Sequence, residues 1–221
     1  MWVILRQKRI GQMKNDFIGN MTHELKTPIS TIALSAEVIG DPAIVHEPDR
    51  LREYARIIRG ENERLRTQVE RVLQLATLDR DGIRMKREAV DMHQVARAAA
   101  DSIRLPAQER GMRVELRLEA RAATVSGDRV HLANAVFNLL DNAVKYGKPD
   151  SAIEVRTSQR GNELLLSVKD EGIGIRKEDQ RRVFERFFRV HTDNVHDVRG
   201  FGLELHYVQQ IALAHGGGVS V

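Results

Sequence analysis

Cysteine is absent from these 221 residues. That excludes disulfides and thiolate metal sites, and it fits a reducing compartment. Aromatic residues are only 5% of the chain, so a core must be filled by leucine, isoleucine, valine and alanine. No apolar run is long enough to span a bilayer. No basic run is interleaved with aromatics. The net charge of +4, from 35 basic and 31 acidic residues, therefore reads as a solvated, mixed-sign surface and not as a nucleic-acid face. Zinc-type clusters, a Ser-His-Asp arrangement and a Walker-type loop are also missing, as are repeats and low-complexity tracts.

What is present is an apolar content of 42%, enough core for one large or two small domains. Residues 8–80 read as two helices. Phe17, Met21, Leu25, Ile29 and Ile32 recur at helical spacing in the first, and Gly40-Asp41-Pro42 breaks it. A loop is expected as far as Pro48. The second helix carries Leu51, Ile58, Leu65 and Val72 at seven-residue intervals. Tyr54 and Leu75 lie on the companion seam, which Glu61 and Gln68 interrupt. Such a stripe favours coiled-coil-like packing, and two helices alone cannot bury it. The hairpin should therefore dimerise into a four-helix bundle.

Composition changes after Asp79. Residues 83–90 read as a strand, with Asp91 capping a helix near 92–105; Pro106 disfavours its smooth continuation, and Gly111 closes the segment. Val114, Leu116 and Leu118 alternate with charged residues as in a half-buried strand. Residues 128–146 read as a helix, Ile153–Val155 and Leu164–Val168 as strands, and 203–215 as a last helix. Three glycines followed by Val219-Ser220-Val221 read as the opening of a further strand, and so as the edge of a longer protein. At the other end, Trp2-Val3-Ile4-Leu5 precedes Arg6-Gln7-Lys8-Arg9. That pattern suits the cytoplasmic flank of a membrane helix and an ordinary helix start equally well.

Two sets of residues carry chemistry. His23 lies within the first helix beside Glu24, with Thr27 one turn on and Pro28 behind it. An imidazole nitrogen on a helix face is a nucleophile, and a flanking carboxylate can take its proton. Taken alone, His23-Glu24 is an ordinary surface pair. A zinc-protease pattern is excluded because Thr27 stands where a second histidine would be. The second set begins with Asn138 and Asn142, four apart on one helix face, with Lys145 three further on. Amide oxygens are hard ligands suited to Mg²⁺, and a lysine there can reach the same phosphates. Asp170-Glu171-Gly172-Ile173-Gly174 follows a strand, where the glycines permit close approach of the backbone to a ligand. Gly200-Phe201-Gly202-Leu203 opens the last helix, whose free N–H groups suit an anion.

The string Phe17 to Pro28, with Thr22-His23-Glu24-Leu25-Lys26-Thr27-Pro28 at its centre, resembles the phosphoacceptor box of sensor histidine kinases. The resemblance implies His23 as the phosphorylated residue and Glu24 as its catalytic partner. It also implies that Thr27 positions water for dephosphorylation of a response regulator. Asn138-Leu139-Leu140-Asp141-Asn142-Ala143-Val144-Lys145-Tyr146 is similar to the asparagine box of the GHKL ATPases, the superfamily of gyrase, Hsp90 and MutL-type ATPases. It implies ATP and Mg²⁺ as cofactors, with the metal on Asn138 and Asn142. The nucleotide would lie against Asn138, Asn142, Lys145, Tyr146, Asp170, Gly172, Gly174, Gly200, Gly202 and Leu203, with Asp170 on the adenine amino group. Arg182 to Arg189 resembles the box in which Phe184, Phe187 and Phe188 anchor a mobile lid, here the polar stretch 190–199, and either Arg186 or Arg189 is a candidate for phosphate. Glu204 departs from the family's Gly-x-Gly-Leu-Gly-Leu pattern, and a carboxylate there would repel a triphosphate.

The resemblance implies an α-helical hairpin, dimeric as a four-helix bundle, followed by an α/β sandwich of the Bergerat GHKL type. Residues 1–13 would be a juxtamembrane or signalling segment and 14–80 the dimerisation and phosphotransfer hairpin. Residues 84–221 would be the ATP-binding domain, truncated at its C-terminus. The expected function is autophosphorylation of His23, phosphotransfer to a receiver-domain aspartate and dephosphorylation of that regulator. The expected setting is the cytoplasmic portion of a membrane-anchored bacterial inner-membrane homodimer. The alternatives are a pseudokinase or phosphatase-biased receptor impaired by Glu204, and an ATP-driven clamp with no histidine acceptor.

Overall fold

The computed structural model describes residues 2–80, 85–190 and 202–221. The chain divides into two compact units, Met1–Gly82 and Ile83–Val221.

The first unit is a pair of long helices, α1 (Trp2–Gly40) and α2 (Pro48–Arg80), packed along each other. The connection is more ordered than the loop expected from sequence. The Asp41 carboxylate accepts the Ala43 amide at 2.9 Å, Pro42 fixes the first dihedral, and Pro42–His46 winds into a 3₁₀ helix that buries Ile44. Pro48 then starts α2, where a proline costs nothing because the first helical N–H has no partner. The hairpin leaves apolar surface uncovered: Ile18, Ile29, Leu34 and Val69 are all exposed, Ile29 by 55%. Gln68, an interruption of the stripe, is by contrast buried.

The second unit is α/β, as expected. Strand β1 (Glu88–Asp91) leads into α3 (Met92–Gln108) and β2 (Arg113–Leu118). Then follow β3 (Thr124–Gly127), α4 (Arg129–Tyr146), β4 (Ala152–Arg160), β5 (Glu163–Lys169) and α5 (Glu204–Ala214). The sheet order is β2-β4-β5, with β2 parallel and β5 antiparallel to β4. The β1 and β3 strands form a separate antiparallel ribbon. Helices α3 and α4 pack on each other and on the sheet. They enclose a core that includes Val95, Ile103, Leu140, Ile153 and Val155.

Four sequence expectations are corrected. The strand expected over 83–90 is formed only from Glu88, while 83 and 84 lie outside the described residues. Helix α3 runs through Pro106 to Gln108. Pro106 falls in the last turn, where it removes one hydrogen bond, and the fully buried Ala107 holds that turn to the core. The segment closes at Gly111 (φ +68°), as expected, where Met112 N–H returns to Ala107 O at 2.9 Å. The ribbon strand β3 was not anticipated at all. Finally, no strand forms at Val219–Val221, because those residues have no ladder partner within the described chain.

Asp128 organises the start of α4. Its Oδ1 accepts the Val130 and His131 amides at 3.0 and 3.1 Å, and its Oδ2 accepts Lys86 N–H at 2.9 Å. Its own N–H donates to His215 Nε2 at 3.0 Å, which ties in the end of α5. Burial alone would raise this carboxyl's pKa, but the amides of His131, Lys86 and Val130 outweigh it and hold the value below the ordinary range. A depressed carboxylate stabilises the fold above its unfolded value of about 3.9, and that contribution is lost as pH falls through the folded value. Urea melts at neutral pH and near pH 3 should show the native protein losing more stability than Asp128→Asn. Parallel losses would mean that the carboxylate's charge does not matter.

Arg110 secures the other end of α4. Its guanidinium donates to Val144 O, to Lys145 O at 2.9 Å and to Gly147 O at 3.2 Å. These carbonyls end the helix and carry its negative dipole end, so a cation suits them twice over. Arg110→Ala is expected to cost about 2 kcal/mol in denaturant melts, in line with hydrogen bonds to a charged group. A loss below about 0.5 kcal/mol, the range of ordinary surface changes, would show that water replaces the guanidinium adequately.

Candidate active site

Helix α1 carries the first set of residues. It stays helical through Pro28, which is fully buried and cannot donate to the carbonyl of Glu24. His23 is exposed and Glu24 half-buried. Gln68 reaches across from α2, its Nε2 donating to Glu24 Oε2 at 3.4 Å. The carboxylate beside His23 is therefore steadied from the neighbouring helix, which spacing along α1 could not reveal. Thr27 is exposed and its hydroxyl donates to His23 O at 3.3 Å, leaving oxygen lone pairs free to accept from water.

Helix α4 carries the second set. The buried Leu140, Ala143 and Val144 fix its inner side. Asn138 and Asn142 are half-buried at spacing four, and neither carboxamide has a hydrogen-bond partner among the described residues. Lys145, expected to reach for phosphate, lies against Asp141 with Nζ 2.7 Å from Oδ2. The sequence reading missed Asp141, although its i,i+4 relation to Lys145 was visible. No cluster of three acidic, histidine or cysteine side chains suited to a metal occurs among the described residues. The Asn138 and Asn142 amide oxygens are hard donors on one helix.

The loop after β5 docks on the end of α4. Ile173 N–H donates to Tyr146 O at 3.4 Å, and a Cβ on Gly172 would lie 2.5 Å from that same oxygen. Only glycine lets the two backbones meet so closely. Gly174 has φ +68°, a second position that needs glycine. Asp170 accepts Gly172 N–H at 2.7 Å through Oδ1, an Asx turn that holds the exposed carboxylate at the mouth of this loop.

The Tyr146 hydroxyl is half-buried, and burial raises its pKa. Arg189, hydrogen-bonded to it, acts in the opposite sense, while Glu204 and Asp141 raise it further. Of the two candidates for phosphate, Arg189 is thus the one that reaches Tyr146, whereas the Arg186 guanidinium lies 4.8 Å from the Phe187 ring centroid. Phe184 is buried in a 3₁₀ turn (Arg182–Phe184), and Phe187 N–H donates to Gly202 O at 3.0 Å. Gly200 and the lid expected over 190–199 lie outside the described residues, apart from Val190. Leu203 is buried at the head of α5, and its N–H donates to Glu204 Oε2 at 2.9 Å.

Comparison with known proteins bears on both sets. The family model of the His Kinase A (phospho-acceptor) domain matches residues 13–81. The model of the histidine kinase-, DNA gyrase B- and HSP90-like ATPases matches 127–221. The sensor protein RprX of Bacteroides fragilis is 43% identical over 218 residues, 98% of this chain and 42% of its own length. The solved mycobacterial sensor histidine kinase MprB is 33% identical with a TM-score of 0.51, over 59% of this chain and 80% of that one. The chain belongs to the sensor histidine kinases.

A third relative of this kinase core is full-length ShkA, solved in complex with AMPPNP. It is 25% identical with a TM-score of 0.65, over 78% of the core and 35% of that chain. The core spans less than half the length of RprX. Its two units follow the family's order, a helical phosphoacceptor segment and then an ATPase-type α/β fold, and ATP binding goes with the second. Among the described residues no helix is long and apolar enough to cross a membrane.

Proposed function

We propose that this chain is the catalytic core of a two-component receptor that phosphorylates His23 from ATP. The phosphoryl would then pass to an aspartate on a response-regulator receiver domain. The observation that carries the reading is the pairing of two features on one chain. One is an exposed histidine with a steadied carboxylate beside it. The other is an α4 face with two uncommitted carboxamides next to a glycine-bounded loop. A ring nitrogen of His23 attacks the γ-phosphorus, forming the N–P bond as the bridging O–P bond breaks and ADP leaves. Glu24 takes the ring proton. Asp170 is assigned to the adenine amino group. Gly172, Gly174 and the segment of Gly200, Gly202 and Leu203 would admit the nucleotide backbone-first. Tyr146 and Lys145 would line the site, with Arg189 preferred to Arg186 for phosphate because it lies at the end of α4. Asn138 and Asn142 would hold Mg²⁺, which supplies charge neutralisation on the phosphate oxygens.

Residues 14–80 are proposed as the homodimer contact, supported by the exposed Ile18, Ile29, Leu34 and Val69. Residues 84–221 would be the ATP-binding domain and 1–13 a segment connecting to a membrane anchor in the whole protein. Thr27, whose oxygen lone pairs face solvent, is proposed to position the water that dephosphorylates the regulator. The bond from Leu203 to Glu204 favours a second reading, a receptor weak in the kinase direction and biased toward dephosphorylation.

The deciding experiment is incubation with γ-labelled ATP and Mg²⁺, followed by acid and base treatment of the protein. Acid-labile, base-stable label on the chain supports the kinase reading. Free labelled phosphate with none on the chain would point instead to an ATP-driven clamp.

A further inference from the structure

We propose that Glu204 is a competitor for the nucleotide built into the chain: its carboxylate occupies the head of α5 where a phosphate of ATP would sit. This rests on the ATP-site reading above and concerns how that site is regulated.

The first turn of a helix presents N–H groups with no backbone acceptor and the positive end of the dipole, so it attracts one anion. Here the anion is already supplied. Glu204 Oε2 accepts the Leu203 amide at 2.9 Å, from the residue immediately following. The amide cannot easily turn elsewhere. Leu203 is buried, and the preceding Gly202 is held at φ +65° with its carbonyl accepting Phe187 N–H. A Cβ at Gly202 would come within 2.8 Å of Phe188 O, so that turn is tightly packed.

The charge of Glu204 is also felt at the end of α4. Glu204 and Arg189 act with opposite sign on the Tyr146 hydroxyl, at the end of the helix that bears Asn138 and Asn142. Glu204 therefore sits among the charges that a triphosphate would meet, and it carries the phosphate's own sign. Carboxylate and phosphate cannot both hold the Leu203 amide. ATP enters only after Glu204 swings out, and the apparent affinity falls by the fraction of molecules in which it has done so. The displaced carboxylate still faces the phosphates, which lowers affinity further. Adenosine meets neither cost.

The test is calorimetric titration of the full chain with ATP, ADP and adenosine in Mg²⁺, comparing native protein with Glu204→Gly and Glu204→Gln. Glutamine keeps the size and an acceptor oxygen but removes the charge, so it guards against a glycine variant that folds poorly. The expected result is ATP binding about tenfold tighter or more in Glu204→Gly, with Glu204→Gln between it and the native protein. ADP should gain less and adenosine should stay within about twofold. Equal ATP affinity in all three proteins, or the same gain for adenosine as for ATP, overturns the proposal. If no folded form binds any of the three ligands, the ATP-site reading itself falls, and this proposal with it.

Discussion

His23→Ala is expected to remove essentially all acid-labile label from the chain, while Glu24→Gln leaves label that accumulates about 10²–10⁴-fold more slowly. The two differ because the first deletes the ring proposed to form the N–P bond. The second deletes only the proposed proton acceptor and leaves a neutral amide in its place. The Glu24 carboxylate is half-buried and reached by Gln68 Nε2 at 3.4 Å, so it is restrained on one side while His23 stays open to a donor. Single-turnover labelling at saturating ATP separates chemistry from binding. ATP affinity should be the same in both variants, since neither residue belongs to the ATPase-type unit. Full-rate labelling of Glu24→Gln would mean that water or another group takes the proton. Persistent label in His23→Ala would place the acceptor elsewhere.

Leu140→Ala should be the most damaging core substitution on α4. Leu140 is 0% exposed and belongs to the cluster containing Val95, Ile103, Ile153 and Val155, where both helices meet the sheet. Truncation removes the transfer free energy of the side chain and leaves a cavity that elements held on all sides cannot close, for a cost of about 2–5 kcal/mol. In a unit of this size that corresponds to a fall in Tm of roughly 10 °C. The same helix presents Asn138 and Asn142, so ATP affinity should weaken before the unit melts. A thermal scan with and without nucleotide reports both. A fall under about 1 kcal/mol, less than a core methylene change usually costs, would mean that α4 settles into the space.

The elements legible in the sequence are those with a long period or a strong cap. The helix over 128–146 announces itself by its apolar face and by Asp128, and the paired strands β4 and β5 by runs of branched residues between polar turns. Elements decided by tertiary partners were not legible. Thr124–Gly127 is too short and polar to declare a strand, and it becomes one because Glu88–Asp91 lies opposite. Pro106 disfavours a smooth continuation on local chemistry, and the burial of Ala107 carries the helix through it. At the candidate site, the motif residues were all readable and their partners were not. Gln68 holding Glu24, Arg110 closing α4 and Glu204 turned back on Leu203 are contacts across the fold or around a turn, invisible to spacing. The pairing of Lys145 with Asp141 is, by contrast, legible from their i,i+4 spacing alone.

A buried amide in a seam that is apolar but for Gln68 and Glu61 acts as a detent. An all-leucine seam would let α2 slip along α1 by a helical turn, about 5.4 Å, and repack almost as well. With Gln68 in the seam, that slip carries the buried amide away from Glu24 and leaves its N–H without that partner, at about 1–3 kcal/mol. Alignments of the hairpin are thereby separated into distinct steps.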